Sequence, residues 1–169
     1  MTVDVSKAAR LMKVVELKSV RLVAADMAAN PPPVEGAIVV TADFNYGGGR
    51  IPTPVGDKLL FNPLLEVVIR PDGSPDPIIT IHATFELEYS IPPETAPTSE
   101  ELAAFAGANA IFNAWPYWRE FVQSTCVRMG HPPLLLPVFR LQNVGQRMKG
   151  VPSPEKTAER ASAGGKTGS

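Results

Sequence analysis

The 169-residue chain is long enough to bury one core and short for two. Its formal charge of -1, with 20% charged residues, gives no global field that would draw it onto nucleic acid or an anionic membrane. Cys126 is the only cysteine, which excludes an internal disulfide and a thiolate metal cage within one chain. Lys7, Arg10 and Lys13 are scattered near the start, without an apolar stretch leading to a small-residue cleavage site, and nowhere do roughly 18 apolar residues run together. These features point to a cytoplasmic protein with no secretory signal and no direct membrane insertion.

Taken in chain order, Val5 to Met12 is expected to form a short helix capped by Ser6 or Asp4. A β-branched stretch from Val14 to Val23 follows as the first strand, with Val20 and Leu22 alternating with Ser19 and Arg21. Asn30-Pro31-Pro32-Pro33 then forces a stiff crossover loop, because prolines lack backbone donors and fix φ. From Ala37 to Tyr46 the period is two, with Ile38, Val40, Ala42, Phe44 and Tyr46 on one side.

After Gly47-Gly48-Gly49, the apolar run Leu59 to Ile69 reads as a third strand that is at an edge or bulged at Pro63, since proline cannot donate to a ladder. The fourth strand, Ile79 to Ile91, alternates most regularly and places Thr80, His82, Thr84, Glu86 and Glu88 on the polar face.

Thr98-Ser99-Glu100-Glu101 has the pattern of a helix start, a hydroxyl cap followed by first-turn carboxylates. Ile111, Trp115, Trp118, Val122, Thr125 or Cys126, and Met129 recur at helical steps, and Pro116 predicts a kink or two abutting helices near Asn113. Gly130 marks the helix end. The segment Pro132-Pro133-Leu134-Leu135-Leu136-Pro137 is too apolar for an ordinary surface loop and too proline-rich for a helix. A short second helix is expected over 138–149, and a disordered tail over 151–169. The fold class is therefore α+β: a four-stranded antiparallel sheet with a long kinked helix and a short C-terminal helix on one face, in a single domain over 1–150.

Catalytic and metal motifs fail one by one. His82 and His131 have no partner at ligand spacing. The terminal Gly164-Gly165-Lys166-Thr167 imitates a phosphate loop, but Arg160 stands where its first glycine belongs. Glu86 with Glu88, and Glu100 with Glu101, read as a solvated sheet face and a helix N-terminus, and Arg119-Glu120 as an ion pair between subunits or within the helix. The chain is read as a non-enzyme without metal or cofactor. Apolar residues in irregular segments (31–34, 61–63 and 132–139) point to an oligomer interface or a peptide-binding groove.

Two motifs carry a resemblance. Trp115-Pro116-Tyr117-Trp118-Arg119-Glu120 is similar to the aromatic-Pro-Tyr-x-Arg-Glu of the SecB family of export chaperones, and Gly130 to Pro137 resembles that family's Gly-x-x-Pro-Pro-Leu segment. The order of elements extends the resemblance over Val14 to Lys149. It implies an ATP-independent holdase for unfolded polypeptide that assembles as a dimer of dimers. Ile111, Trp115, Trp118, Arg119, Glu120 and Val122 would then lie at subunit contacts. Clients would bind at Pro31, Pro32, Pro33 and Val34 of the crossover, at Phe44, Tyr46 and Phe61, and at Leu134, Leu135, Leu136 and Phe139.

The export branch presents acidic residues to the translocase motor ATPase near Ser19, Val23, Thr80 and His82, none of which is acidic here; this weakens electrostatic docking. The early helix and Pro97-Thr98-Ser99-Glu100-Glu101-Leu102 are more similar to the branch attached to toxin–antitoxin systems, whose client is an antitoxin rather than a preprotein. A small-molecule-binding domain and a purely structural oligomerisation module are the competing readings.

Overall fold

The computed structural model describes residues 5–30, 40–47, 51–52 and 54–139; the crossover prolines, the expected helix over 138–149 beyond Phe139, and the tail lie outside them. A 3-10 turn, Val5–Ala8, leads into α1 (Ala9–Val14). The strands are β1 (Glu16–Ala29), β2 (Val40–Gly47), β3 (Lys58–Phe61), β4 (Leu64–Pro71) and β5 (Ile79–Ser90). Helices α2 (Ser99–Phe105) and α3 (Ile111–Arg128) are joined by a π-helical turn, Ala106–Ala110.

The sheet is antiparallel with spatial order β1-β5-β4-β2, and β3 also pairs β5. Among the described residues there are five strands where four were expected, because the run over 59–69 is cut at Asn62-Pro63. The cut is local: Phe61 faces Leu87 and Leu64 faces Thr84, so β3 and β4 lie in one continuous register along β5. Pro63 removes a donor, but its carbonyl still accepts from Phe85 N–H at 3.1 Å.

Strand β5 alternates buried and half-buried without a slip, and its inner residues form the core with Leu65, Val67, Ile69 and the inner stripe of α3. Phe61, Tyr89 and Phe105 pack ring to ring, with centroids 5.0–5.6 Å apart. Burial pushes the Tyr89 phenol up to about 12, against the opposing hydrogen bond it accepts from Asn113 Nδ2 at 2.8 Å.

Strand β1 runs six residues beyond the expected Val23, and two register shifts govern it, one between Leu17 and Ser19 and one between Leu22 and Ala24. These bulges keep Leu17, Val20, Leu22, Ala25, Met27 and Ala29 opposite the buried residues of β5, on the apolar face, although the sequence does not alternate strictly. That face stays uncovered on β1, where Leu17, Leu22 and Met27 are exposed. Among the described residues, β1 is at the sheet edge and no strand pairs along its outer side.

The helical layer begins at a capping box. Thr98 Oγ1 accepts from Glu101 N–H at 3.2 Å, and Thr98 N–H donates to Glu101 Oε2 at 2.8 Å. Arg10 on α1 donates Nε–H to Glu101 Oε1 at 2.6 Å, which ties the early helix to α2 while Ala8 and Leu11 bury completely. Of the kink or two abutting helices expected near Asn113, the structure has abutting helices, joined a little earlier at the irregular turn Ala106–Ala110, and Pro116 sits within α3.

Candidate client-binding surface

Helix α3 stops on a complete Schellman motif. Gly130 adopts φ 79°, its N–H donates to Val127 O at 3.0 Å, and His131 N–H donates to Cys126 O at 3.0 Å. The chain is thereby reversed, and residues 130–139 return along α3 as an extended strap. Leu136 (2% exposed) and Phe139 (6%) point inward, while Leu135 (57%) and Val138 (66%) point out. The strap has no regular secondary structure of its own.

Its polar groups are met by side chains of α3. Leu134 N–H is directed at the Cys126 thiol, whose pKa is pushed up by burial against the opposing pull of that N–H. Arg119 Nε–H donates to Leu136 O, and Trp115 Nε1–H donates to Pro137 O, each at 2.8 Å. As the strap advances from 134 to 137, its partners step back from 126 to 115, so it runs antiparallel to the helix.

The strap ends in an aromatic cluster. Phe139 lies 5.0 Å from Trp115, 5.5 Å from Tyr46 and 6.5 Å from Phe112 between ring centroids. Phe112, beside Phe139, is 48% exposed, so with Leu135 and Val138 it adds open apolar surface on and next to the strap.

Several expected site residues have other places. Phe61 is fully buried in the protomer core, and Leu136 and Phe139 serve the strap as anchors. Tyr46 is half-buried against Trp115, and Leu134 is half-buried and packed against the core. Pro31, Pro32, Pro33, Val34 and the Phe44 side chain lie outside the described residues.

Of the residues expected at subunit contacts, Ile111, Trp115, Trp118 and Val122 are buried within the protomer itself, and only Glu120 is open. Arg119, expected in an ion pair, is half-buried and reaches a backbone carbonyl instead. Sequence reasoning missed Phe112 and the exposed face of β1; the apolar character of Leu17, Leu22 and Met27 was the available signal.

The opposite sheet face is polar and internally paired. Arg70 Nη1 meets Asp43 at 3.0 Å, Lys58 meets Glu88 at 2.7 Å, and Arg21 pairs with Glu86. Glu66 accepts from Asn45 at 2.6 Å, and its other oxygen lies 2.9 Å from His82 Nε2, close enough for an ion pair but not aligned as a hydrogen bond. Among the described residues no cluster of His, Cys, Asp or Glu could hold a metal ion, and no helix is long and apolar enough to cross a membrane.

No family model and no curated protein matches the chain. Among solved structures, it is similar to the Mycobacterium tuberculosis Rv1957 SecB-like chaperone, determined in complex with a ChAD peptide from the Rv1956 HigA1 antitoxin. The TM-score is 0.68 at 24% identity, over 79% of this chain and 97% of that one. A protein of unknown function from Streptococcus agalactiae overlaps less closely, with TM-score 0.43 and 11% identity over 73% of this chain and 96% of that one. At that similarity the chain has the SecB-like fold.

Proposed function

We propose that this protein is a SecB-like chaperone that holds non-native polypeptide without ATP and performs no chemistry. The observation that carries the reading is the fold shared with a SecB-like chaperone that was determined with an antitoxin peptide bound. The open apolar surface of Phe112, Val138 and Leu135 supports it, because such surface binds extended chains through many weak contacts.

The client is an antitoxin segment rather than an export preprotein. Two features favour this: the early helix clipped to α2, and an outer sheet face whose carboxylates Asp43, Glu86 and Glu88 are already paired with basic residues, which leaves little for a motor ATPase to recognise. The working assembly is a dimer of dimers in the cytoplasm, for which the uncovered apolar face and edge position of β1 supply a joining surface.

The test is suppression of aggregation of a chemically denatured protein diluted into buffer without nucleotide. Protection at near-stoichiometric ratio is the expected result, and no protection across several substrates overturns the reading. A toxin and antitoxin pair beside the gene would select the antitoxin client.

A further inference from the structure

Among the described residues, Lys7, Arg10, Lys18, Arg21, Lys58 and Arg70 each meet a carboxylate within ion-pair distance, whereas Lys13, Arg119 and Arg128 meet none. Lys13 and Arg128 are exposed, where water screens their charge. Arg119 is half-buried, so its charge is partly stripped of water with no described carboxylate to neutralise it. The adjacent Glu120 does not serve, since neighbouring residues stand about 100° apart around a helix.

Arg119 uses one donor, Nε–H, to hold Leu136 O at 2.8 Å. That contact does not call for a charge: Trp115 holds the next carbonyl, Pro137 O, at the same 2.8 Å with a neutral N–H. The N–H donors on the two Nη atoms have no partner among the described residues. Because the guanidinium is planar and rigid, they stay at the seam between α3 and the strap, close in the chain to the exposed Leu135 and Val138. Half-exposed Phe112 lies seven residues earlier, two turns along the same side of α3 and about 10 Å away.

We propose that Arg119 is a carboxylate-binding residue of the client surface, which selects segments that carry an Asp or Glu beside apolar residues. With Nε engaged by the strap, Nη1 and Nη2 are left to hold both oxygens of a carboxylate. An extended chain advances about 3.3 Å per residue, so the carboxylate stands about three residues from the side chain that rests on Phe112. This assignment rests on the client-binding reading above and adds a polar determinant that apolar burial does not supply.

Two labelled, unstructured peptides, identical except that a Glu about three positions from a Leu is replaced by Gln in one, test this by fluorescence anisotropy with the full chain. The Glu peptide should bind about tenfold more tightly, the ratio that one charge-assisted hydrogen bond maintains, and the ratio should shrink as salt rises. Arg119→Met, which keeps the aliphatic stem, should weaken the Glu peptide alone and so bring the two affinities together. Arg119→Lys retains the charge without the fork; it should show an intermediate ratio, and serves if Arg119→Met does not fold.

Equal binding of the two peptides by the parent overturns the proposal, as does a ratio that survives Arg119→Met. Equal weakening of both peptides in Arg119→Met also overturns it, since the guanidinium would then serve the strap or a client backbone carbonyl. A sedimentation coefficient that falls in Arg119→Met would give the missing carboxylate to a second copy of this chain and overturn it likewise. If neither peptide binds the parent, the client-binding reading fails as well, whereas equal binding leaves that reading standing.

Discussion

Trp115 donates its indole N–H to the carbonyl of Pro137 at 2.8 Å across the seam between α3 and the strap. Replacing it with Phe keeps an aromatic ring beside Phe139 and leaves that carbonyl without its partner. Trp115→Phe should therefore cost about 1–3 kcal/mol in urea unfolding. A cost within error of zero would mean that water takes over the contact freely.

Gly130 adopts φ 79°, and an added Cβ there meets nothing within 4 Å. The penalty of Gly130→Ala is thus the left-handed backbone alone, about 1–2 kcal/mol. Thermal unfolding measures it. A substantially larger loss would show that the strap departs with the cap.

The Glu101 carboxyl is held down to about 2, first by the Arg10 side chain and then by the Thr98 N–H. A depressed folded-state pKa contributes stability that is complete above the ordinary Glu range near about 4.3; it is lost as pH falls through about 2. Unfolding free energy should decline across that window, and Glu101→Gln should flatten the decline. An unchanged slope would place the acid sensitivity elsewhere.

Phe61 lies at the centre of the ring cluster with Tyr89 and Phe105. Phe61→Ala should cost about 3–5 kcal/mol of stability through the cavity it leaves. Molecules that remain folded should bind unfolded chains normally. Weakened binding at full stability would instead return Phe61 to the client surface.

Met27 stands on the uncovered face of β1 beside buried Ile81 of β5. Met27→Asp, measured by sedimentation velocity, should weaken self-association by roughly tenfold or more, because a charge would be desolvated in any joined sheet. An unchanged sedimentation coefficient would exclude β1 from the assembly.

Local chemistry was legible from the residues. The alternation from Ile79 to Ile91 had one solution, Thr98 with Glu101 gave the capping box, and Gly130 gave the helix end, because each signal depends on near neighbours. The motifs around Trp115 to Pro137 also pointed to the SecB-like fold that the structure shows. Other features depend on partners distant in sequence. The length of β1 and its two bulges are set by pairing with β5, more than fifty residues away.

For the candidate surface, the sequence by itself determined that apolar residues would gather in Leu134 to Phe139. Only the tertiary structure decided which of them face out: Leu136 and Phe139 turn to the core, with Phe139 seated against Trp115 and Tyr46, while Leu135 and Val138 stay exposed. Burial depends on what lies opposite a side chain. Composition counts apolar residues, but the packing of α3 against the strap decides which of them remain exposed.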